Sequence, residues 1–406
     1  MQIKVFNSFL LCIICNVLYH IQMKSQKSVL VVTDWHDERM IEGIMRYAGK
    51  AGWHVSLDSY FVQELPWGWS GNGCISAAVH PETGEFCKSL GVPVVDMSHI
   101  LPGIAAARVC PDDYTIGAIA AEYFAERHFL RFVYYSETDD PVSDERYMGF
   151  CERLTAIGNP DIYRIVPHEK RRAGGAKSDA WENKRRKIIN VLKEISTPLA
   201  LFCNGDRVAL GAVEACRFAG IRIPEDVAVM GIGDFHLACE ASPVSLSSVI
   251  VDAEEVGYRA ARMLHSLMRG EVKRSESVVR LKPKGINERR STTTLAVDNP
   301  DAAEVIHYMM EHYNNPITIN DVAVAAGMSR RRLYFLFKEY VDLEPGVLLE
   351  KMRMNHARKL LLESDLKVSS VATECGYSHR VVFHRAFIRV NGISPSKYRK
   401  KHLPSQ

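Results

Sequence analysis

Hydrophobic positions fall in two rhythms along this chain. In the first, short runs rich in Val, Ile and Leu alternate with stretches whose apolar residues recur at helical spacing. The runs at residues 28–33, 53–57, 74–79, 93–96, 132–135, 162–166, 199–203 and 227–231 predict strands. The stretches 37–51 (through Met40, Ile41, Ile44, Met45 and Ala48), 113–127 and 207–219 predict helices. Strands alternating with helices imply parallel sheets, whose ligand sites lie at the carboxyl ends of the strands. About 250 residues of this alternation is long for one doubly wound sheet. The pattern therefore predicts two α/β lobes with a cleft between them, the chain first crossing near residues 128–131.

Beyond residue 301 the rhythm is helical only, beginning with a predicted helix over 302–312. Ile319, Val322, Ala323 and Ala326 share one helical face, Gly327-Met328-Ser329 supplies a tight turn, and Leu333, Leu336 and Phe337 mark a second helix. The unit recurs as Val368, Val371, Ala372 and Cys375, then Gly376-Tyr377-Ser378, then Phe383 and Phe387. Glycine suits each bend because it tolerates positive φ, and the serine is a candidate N-cap for the helix that follows. Asn320 ahead of Asp321 is the start signal for the first unit. Residues 345–362 predict a connecting helix of about 27 Å, close to the roughly 34 Å between successive major-groove faces of a duplex. One helix-glycine-helix is no more than a helical hairpin; the same punctuation twice points to a double helix-turn-helix.

Charge changes the picture only when the chain is divided. The formal charge of the 406 residues is +3, too small to name a partner. From residue 301 onward sixteen Lys and Arg face eleven Asp and Glu, so basic charge sits where a polyanion would bind. The outward faces of the second helices carry Ser329, Arg330, Arg331, Arg332, Tyr334 and Lys338 in one unit, and His379, Arg380, His384 and Arg385 in the other. Arginine pairs with guanine edges or contacts phosphate, and Tyr334 or Phe335 is placed to pack on a thymine methyl. The plain alternative is a solvated basic face.

Other chemistry is thin. Cys12-Ile13-Ile14-Cys15 is the one CxxC among ten cysteines, with no second pair or ligand-spaced histidines, so no metal site is predicted. The remaining thiols read as reduced and mostly buried in a cytoplasmic protein. Residues 6–21 are hydrophobic behind Lys4, but Asn16, Tyr19 and His20 interrupt them, no small-residue cleavage site follows, and the run is shorter than a membrane span. With Met23 just ahead of the first strand, residues 1–26 read as sequence from an upstream start codon or as a disordered tail, with a targeting signal as the alternative. In residues 167–178 Arg171 and Ala176 stand where the glycines of a P-loop belong, which leaves a basic surface loop. With no GxSxG, HExxH or paired metal-ligand spacing either, an enzyme is not expected.

The motifs Asp321-Val322-Ala323, Gly327-Met328-Ser329, Phe337-Lys338, Ala357-Arg358-Lys359-Leu360-Leu361, Gly376-Tyr377, Arg385-Ala386-Phe387 and Gly392-Ile393-Ser394-Pro395 resemble the AraC/XylS transcription-factor domain. The resemblance implies that the middle of each second helix reads bases; Phe335 and Val381 stand there in place of longer polar side chains often found. Upstream, residues 109–135, the run from Asn204 to Gly211, the phrase from Ile223 to Asp234 and Leu246-Ser247-Ser248-Val249 look like a LacI/GalR-type sensor of the type I periplasmic-binding-protein fold. The first strand already begins at Ser28, where those repressors carry an amino-terminal helix-turn-helix. The expected architecture is a two-lobed α/β sensor over residues 27–285, a linker over 286–300, and an all-α double helix-turn-helix domain over 301–406.

A sugar site needs carboxylates or amides for paired hydroxyls, an arginine donor and an aromatic face. Candidates near strand ends are Asp34, Trp35, His36, Arg146, Asp206 and Asp234, of which the resemblance places Arg146, Asp206 and Asp234 at effector-contacting positions. Each has a duller explanation: Asp206 as a helix cap, Asp234 as a loop brace, Arg146 paired with Asp144 or Glu145, Trp35 in the core. The resemblance implies a cytoplasmic homodimeric activator without a cofactor. Its partners would be double-stranded operator DNA, RNA polymerase and a small sugar, D-xylose foremost. The competing class is a secreted or periplasmic sugar-binding protein.

Overall fold

The computed structural model describes residues 26–402 apart from 63, 102, 105–106, 128, 159–160, 167–178, 272–276, 295–296, 298 and 342. The tail over residues 1–25 and the basic loop over 167–178 therefore lie outside the described residues. No described helix is long and apolar enough to cross a membrane.

β1 (Ser28–Thr33), α1 (Glu38–Ala51), β2 (His54–Ser56), α2 (Asp58–Val62), β3 (Gly73–Ala77), α3 (Pro81–Ser89), β4 (Val94–Asp96) and β5 (Ala107–Pro111) build the first lobe. The chain then crosses to the second lobe. There it forms α4 (Asp113–Ala125), β6 (Arg131–Tyr135), α5 (Pro141–Ile157), β7 (Asp161–Ile165), α6 (Asp179–Glu194), β8 (Leu199–Cys203), α7 (Asp206–Ala219), β9 (Val227–Ile232), α8 (His236–Ala241) and β10 (Ser247–Ile250). It returns to the first lobe with α9 (Ala253–Met268) and β11 (Ser277–Leu281), and finishes the second with β12 (Gly285–Asn287). The sheets run β11-β5-β4-β3-β1-β2 and β12-β10-β9-β8-β6-β7, parallel except for β12, which pairs antiparallel with β10.

Both faces of each sheet are covered, which is why the central strands are continuously apolar. Val29 and Val31 of β1 face α1 and α9, while Leu30 and Val32 pack with Phe86 of α3. In the second lobe Leu201 and Val229 pack toward α6 and α7, and Phe202 and Met230 toward α4 and α5. The first crossing lies at residues 111–113, not near 128–131. Ile116, Ala120 and Phe124 of α4 pack on Phe132, Tyr134 and Phe150, so the helix belongs to the second lobe. Amphipathicity shows that a helix is half buried, but not against which sheet.

Within each lobe two helices cross in backbone contact. A Cβ at Gly117 of α4 would lie 2.0 Å from the Arg146 carbonyl oxygen, and one at Gly149 of α5 would lie 2.0 Å from that of Tyr114. The first lobe repeats the device, with Gly43 of α1 against Glu254 at 1.9 Å and Gly257 of α9 against Met40 at 2.0 Å.

The expected linker is in part built into the second lobe. Beyond β12, Ser291 and Thr292 of the short turn Arg290–Thr292 are buried. Ser291 Oγ donates to the Val229 carbonyl at 2.6 Å, and Thr292 Oγ1 lies 2.7 Å from Tyr123 OH. Ser and Thr have the composition of a linker, but here their hydroxyls pair with buried groups.

The carboxyl-terminal domain contains α10 (Pro300–His312), α11 (Ile319–Ala325), α12 (Arg330–Tyr340), α13 (Pro345–Glu363), α14 (Val368–Glu374), α15 (Arg380–Asn391) and α16 (Pro395–His402). Leu348 and Met352 of α13 join the core of the first unit, whereas Met354, Ala357 and Leu361 join the second. The first unit opens on Thr318, not Asn320: its side chain caps α11 in a reciprocal box with Asp321. Ser329 caps α12, accepting from the Arg332 N–H at 3.2 Å. In the second unit His379 holds the cap position instead of Ser378 and makes no side-chain cap bond.

Gly327 and Gly376 both take positive φ, 62° and 73°. Gly376 is needed twice over, since a Cβ there would lie 2.5 Å from the carbonyl oxygens of Tyr313 and Asn315. Arg353 of α13 donates to those same carbonyls at 2.9 and 2.8 Å, tying the two units together.

Candidate sensor cleft and nucleic-acid interface

Loops at the carboxyl ends of strands from both sheets meet across the cleft, and most candidate residues are already engaged there. Asp34 accepts from the N–H groups of Val79 at 2.6 Å and His80 at 2.7 Å and from Thr83 Oγ1 at 2.6 Å, bracing the turn into α3. Trp35 packs half-buried against the core under α1 and α9. His36 is exposed, with Nε2 2.7 Å from the Tyr60 carbonyl oxygen.

Asp206 is not a cap, because Gly205 precedes the helix. Its buried carboxylate accepts from Ser248 Oγ at 2.6 Å and from the Phe235 N–H at 2.8 Å. Gly231 leaves room for it: a Cβ there would lie 2.2 Å from Asp206 Oδ1. Asp234 accepts from Arg289 Nη1 at 2.8 Å, with Asn287 Nδ2 3.3 Å away. Bracing thus accounts for Asp34, Asp206 and Asp234.

Arg146 differs. Its Nε donates to Asp113 Oδ1 at 2.6 Å, not to Asp144 or Glu145, and its Nη1 donates to the backbone and side-chain oxygens of Asn204, both at 3.0 Å. Burial works against charge on this guanidinium, but Asp113 more than compensates and raises its pKa. Nη2 has no hydrogen-bond partner among the described residues and remains a donor for a ligand hydroxyl. Across the cleft, Arg39 of α1 donates through Nη1 to the Gly233 carbonyl at 2.7 Å, and its guanidinium lies 4.7 Å from the centre of the Phe235 ring.

In the carboxyl-terminal domain α12 and α15 each bury one face. Leu333, Leu336 and Phe337 pack inward in one, and Phe383, Ala386 and Phe387 in the other. With roughly 3.6 residues per turn, Arg331, Phe335 and Lys338 share the face of α12 opposite its core, and Val381, Arg385 and Ile388 the matching face of α15. Arg331, Lys338, Arg380 and Arg385 are exposed and have no protein partner among the described residues. Others are partly engaged. Arg332 is tied to Asp301 at 3.0 Å, Arg330 lies 5.5 Å from the centre of the Tyr334 ring, and Ser329 caps the helix. His384 is half-buried. The geometry offers a polyanion two exposed faces: Arg331 and Lys338 flank Phe335 on one, and Arg385 stands between Val381 and Ile388 on the other.

Two family models match the chain: a periplasmic binding protein-like domain over residues 121–292 and a helix-turn-helix domain over residues 322–401. The chain joins a LacI/GalR-type sensor to an AraC-type DNA-binding domain. The xylose operon regulatory protein of Escherichia coli strain K12 is 25% identical over 375 residues, covering 90% of this chain and 94% of that protein. The protein of the same name from Haemophilus influenzae is 24% identical over 382 residues, covering 90% and 95%. The structure of the xylose-binding transcription activator xylR shares the fold at a TM-score of 0.64 and 22% identity, over 94% of this chain and 99% of that one.

Sequence spacing did not show how the lobes of this sensor are tied. His99, just after β4, is buried with Nε2 3.3 Å from Glu145 Oε2 and Nδ1 3.7 Å from Asp113 Oδ2. Arg280 of β11 donates to both Glu145 oxygens, at 2.5 and 2.8 Å. His99, Asp113 and Glu145 form a trio of metal-ligating type. Each carboxylate, however, already carries an arginine, Arg146 or Arg280, so a divalent ion would meet a neutralised cluster. The group acts as a clasp between lobes.

The same strand carries a pH-sensitive carboxyl. Asp96 ends β4 fully buried, with Oδ1 accepting from Ser76 Oγ at 3.1 Å and Oδ2 without a hydrogen-bond partner among the described residues. Burial pushes its pKa up to about 7, against the pull of hydrogen bonds from Ala78 and Ser76. A carboxyl raised on folding holds its proton more tightly in the folded state. The stability it lends is therefore fully present below about pH 4 and lost as pH rises through about 7. Asp96→Asn is expected to melt well above the unsubstituted protein at about pH 8, with the gap narrowing toward about pH 5. Melting curves at both values check this, and a gap of the same size at each would remove the assignment.

Proposed function

We propose that the chain is a sugar-responsive transcription factor that activates an operon for pentose use, with D-xylose or a close pentose as effector. The observation that carries this reading is end-to-end similarity to xylose operon regulatory proteins, sensor and DNA-binding domain included. The sugar enters the cleft beside Arg146, where Nη2 offers a donor, and Asp206 and Asp234 hold the wall it closes against. A ligand moves such an equilibrium only as far as it binds one arrangement of the lobes more tightly. The factor works in the cytoplasm as a homodimer, setting paired DNA-binding domains on operator half-sites near RNA polymerase. A secreted binding protein has no use for two basic helix-turn-helix units.

D-xylose at a hundred times its dissociation constant should stabilise the folded sensor by about 2.7 kcal/mol, seen as a raised melting temperature. In a panel of pentoses and hexoses xylose should give the largest shift, and Arg146→Ala should abolish it. A panel in which no pentose shifts the transition would sink the effector assignment. On the DNA side, Arg331→Ala and Arg385→Ala should each weaken specific binding by about 1–3 kcal/mol if the side chain reads a base. A loss of equal size on random duplex would make it a phosphate contact.

A further inference from the structure

We infer that, granted the DNA-binding role proposed above, Phe335 and Val381 read thymine methyl groups, so that each helix-turn-helix recognises one guanine and one thymine, in opposite order along its second helix. Phe335 is 62% exposed and Val381 61%, although both residue types are usually buried. Neither belongs to the cores of the domain. Each sits among exposed basic side chains: Phe335 lies one turn beyond Arg331 and just before Lys338, and Val381 follows Arg380 and lies one turn ahead of Arg385. Unpaired basic charge on both sides favours a polyanion over an apolar protein surface. In the major groove of duplex DNA the apolar feature on offer is the C5 methyl of thymine.

The register of the two helices sharpens this. Leu333, Leu336 and Phe337 correspond to Phe383, Ala386 and Phe387 as the inward-facing sets. In that register Val381 stands where the first helix has Arg331, and Arg385 stands where it has Phe335. Each helix thus carries one arginine and one apolar side chain a turn apart, with the order reversed. The arginine fork fits guanine O6 and N7, and the apolar group fits the methyl. A helical turn advances about 5.4 Å against about 3.4 Å between bases on one strand, so the two contacts fall one to two bases apart.

The test uses the full-length chain. Duplexes are selected from a random-sequence pool, and each thymine of the selected site is then replaced singly by deoxyuridine, which deletes only the methyl. Affinity is expected to fall about fourfold at one thymine per unit, the equivalent of about 0.8 kcal/mol for a buried methyl-sized group. Phe335→Ala should bind thymine and deoxyuridine alike in the first unit's element, and Val381→Ala in the second's, while Phe335→Leu keeps the preference. Both side chains are exposed, and melting curves confirm that the variants fold. The inference is overturned if no thymine is sensitive to loss of its methyl, or if the sensitivity survives unchanged in both alanine variants. Failure to enrich any sequence would instead take down the DNA-binding role, and this inference with it.

Discussion

Gly117→Ala is expected to destabilise the second lobe even though alanine is the better helix former. In a helix interior the exchange gains up to about 1 kcal/mol. Here the new Cβ would stand 2.0 Å from the Arg146 carbonyl oxygen, a backbone atom of a packed helix that cannot swing aside. Overpacking of a core costs about 1–3 kcal/mol and sometimes more, and a main-chain obstacle belongs at the upper end. The net loss should be about 2 kcal/mol or more, read as a lower denaturant midpoint for the sensor. Gly211→Ala in α7 of the same lobe meets nothing within 4 Å and should raise that midpoint. One substitution in one lobe thus carries opposite signs at two sites. If both variants move the same way, close helix approach is not what decides. Because the contact is the carbonyl of Arg146, the residue proposed above to meet the sugar, Gly117→Ala should also weaken sugar binding.

Arg289→Ala is expected to cost more. Its side chain is 3% exposed and pairs with Asp234 at 2.8 Å and Glu240 at 2.6 Å. Removing one partner of a buried ion pair costs about 3–5 kcal/mol. Asp234 and Glu240 retain some contact with solvent, which places the expected loss near 3 kcal/mol, at the lower end of that range. Arg289 also sits at a junction. Asp234 is the neighbour of Gly233, whose carbonyl Arg39 reaches from the first lobe, while Arg289 begins the exit toward α10. The variant should therefore show a smaller sugar-dependent change in DNA affinity, beyond its lower melting temperature. A double-mutant cycle with Asp234→Asn separates the pair from the rest: losses that simply add would mean the two side chains are not coupled.

Much of the fold was legible in the sequence because its central strands must be apolar on both faces. β1 and β8 run over the residues expected of them, and β9 extends one residue further. β5, β10, β11 and β12 went unseen because they are short or carry serine, arginine, asparagine or a closing proline. The two helix-turn-helix units were visible from their glycines, but the cap of the second was misplaced. Six residues separate Gly327 from Leu333 and seven separate Gly376 from Phe383, so the second turn is one residue longer and the serine falls short of the cap.

At the cleft, the position of Asp34, Asp206 and Asp234 near strand ends could be read, yet not their partners. Those are N–H groups and side chains brought in by folding from distant parts of the chain. His99, Asp113, Glu145 and Arg280 come from four separate places along the chain, and no spacing rule joins them.

The polypeptide leaves the sensor through β12 and the buried turn Arg290–Thr292, both stitched into the second lobe, and His307 of α10 lies 3.1 Å from Glu225 on that lobe. The helix-turn-helix domain is therefore joined to one half of the sensor by both backbone and side chain. In the homodimer proposed above, a sugar that moves the other half against this one would change how far apart, and at what rotation, two copies present their helices along the double helix.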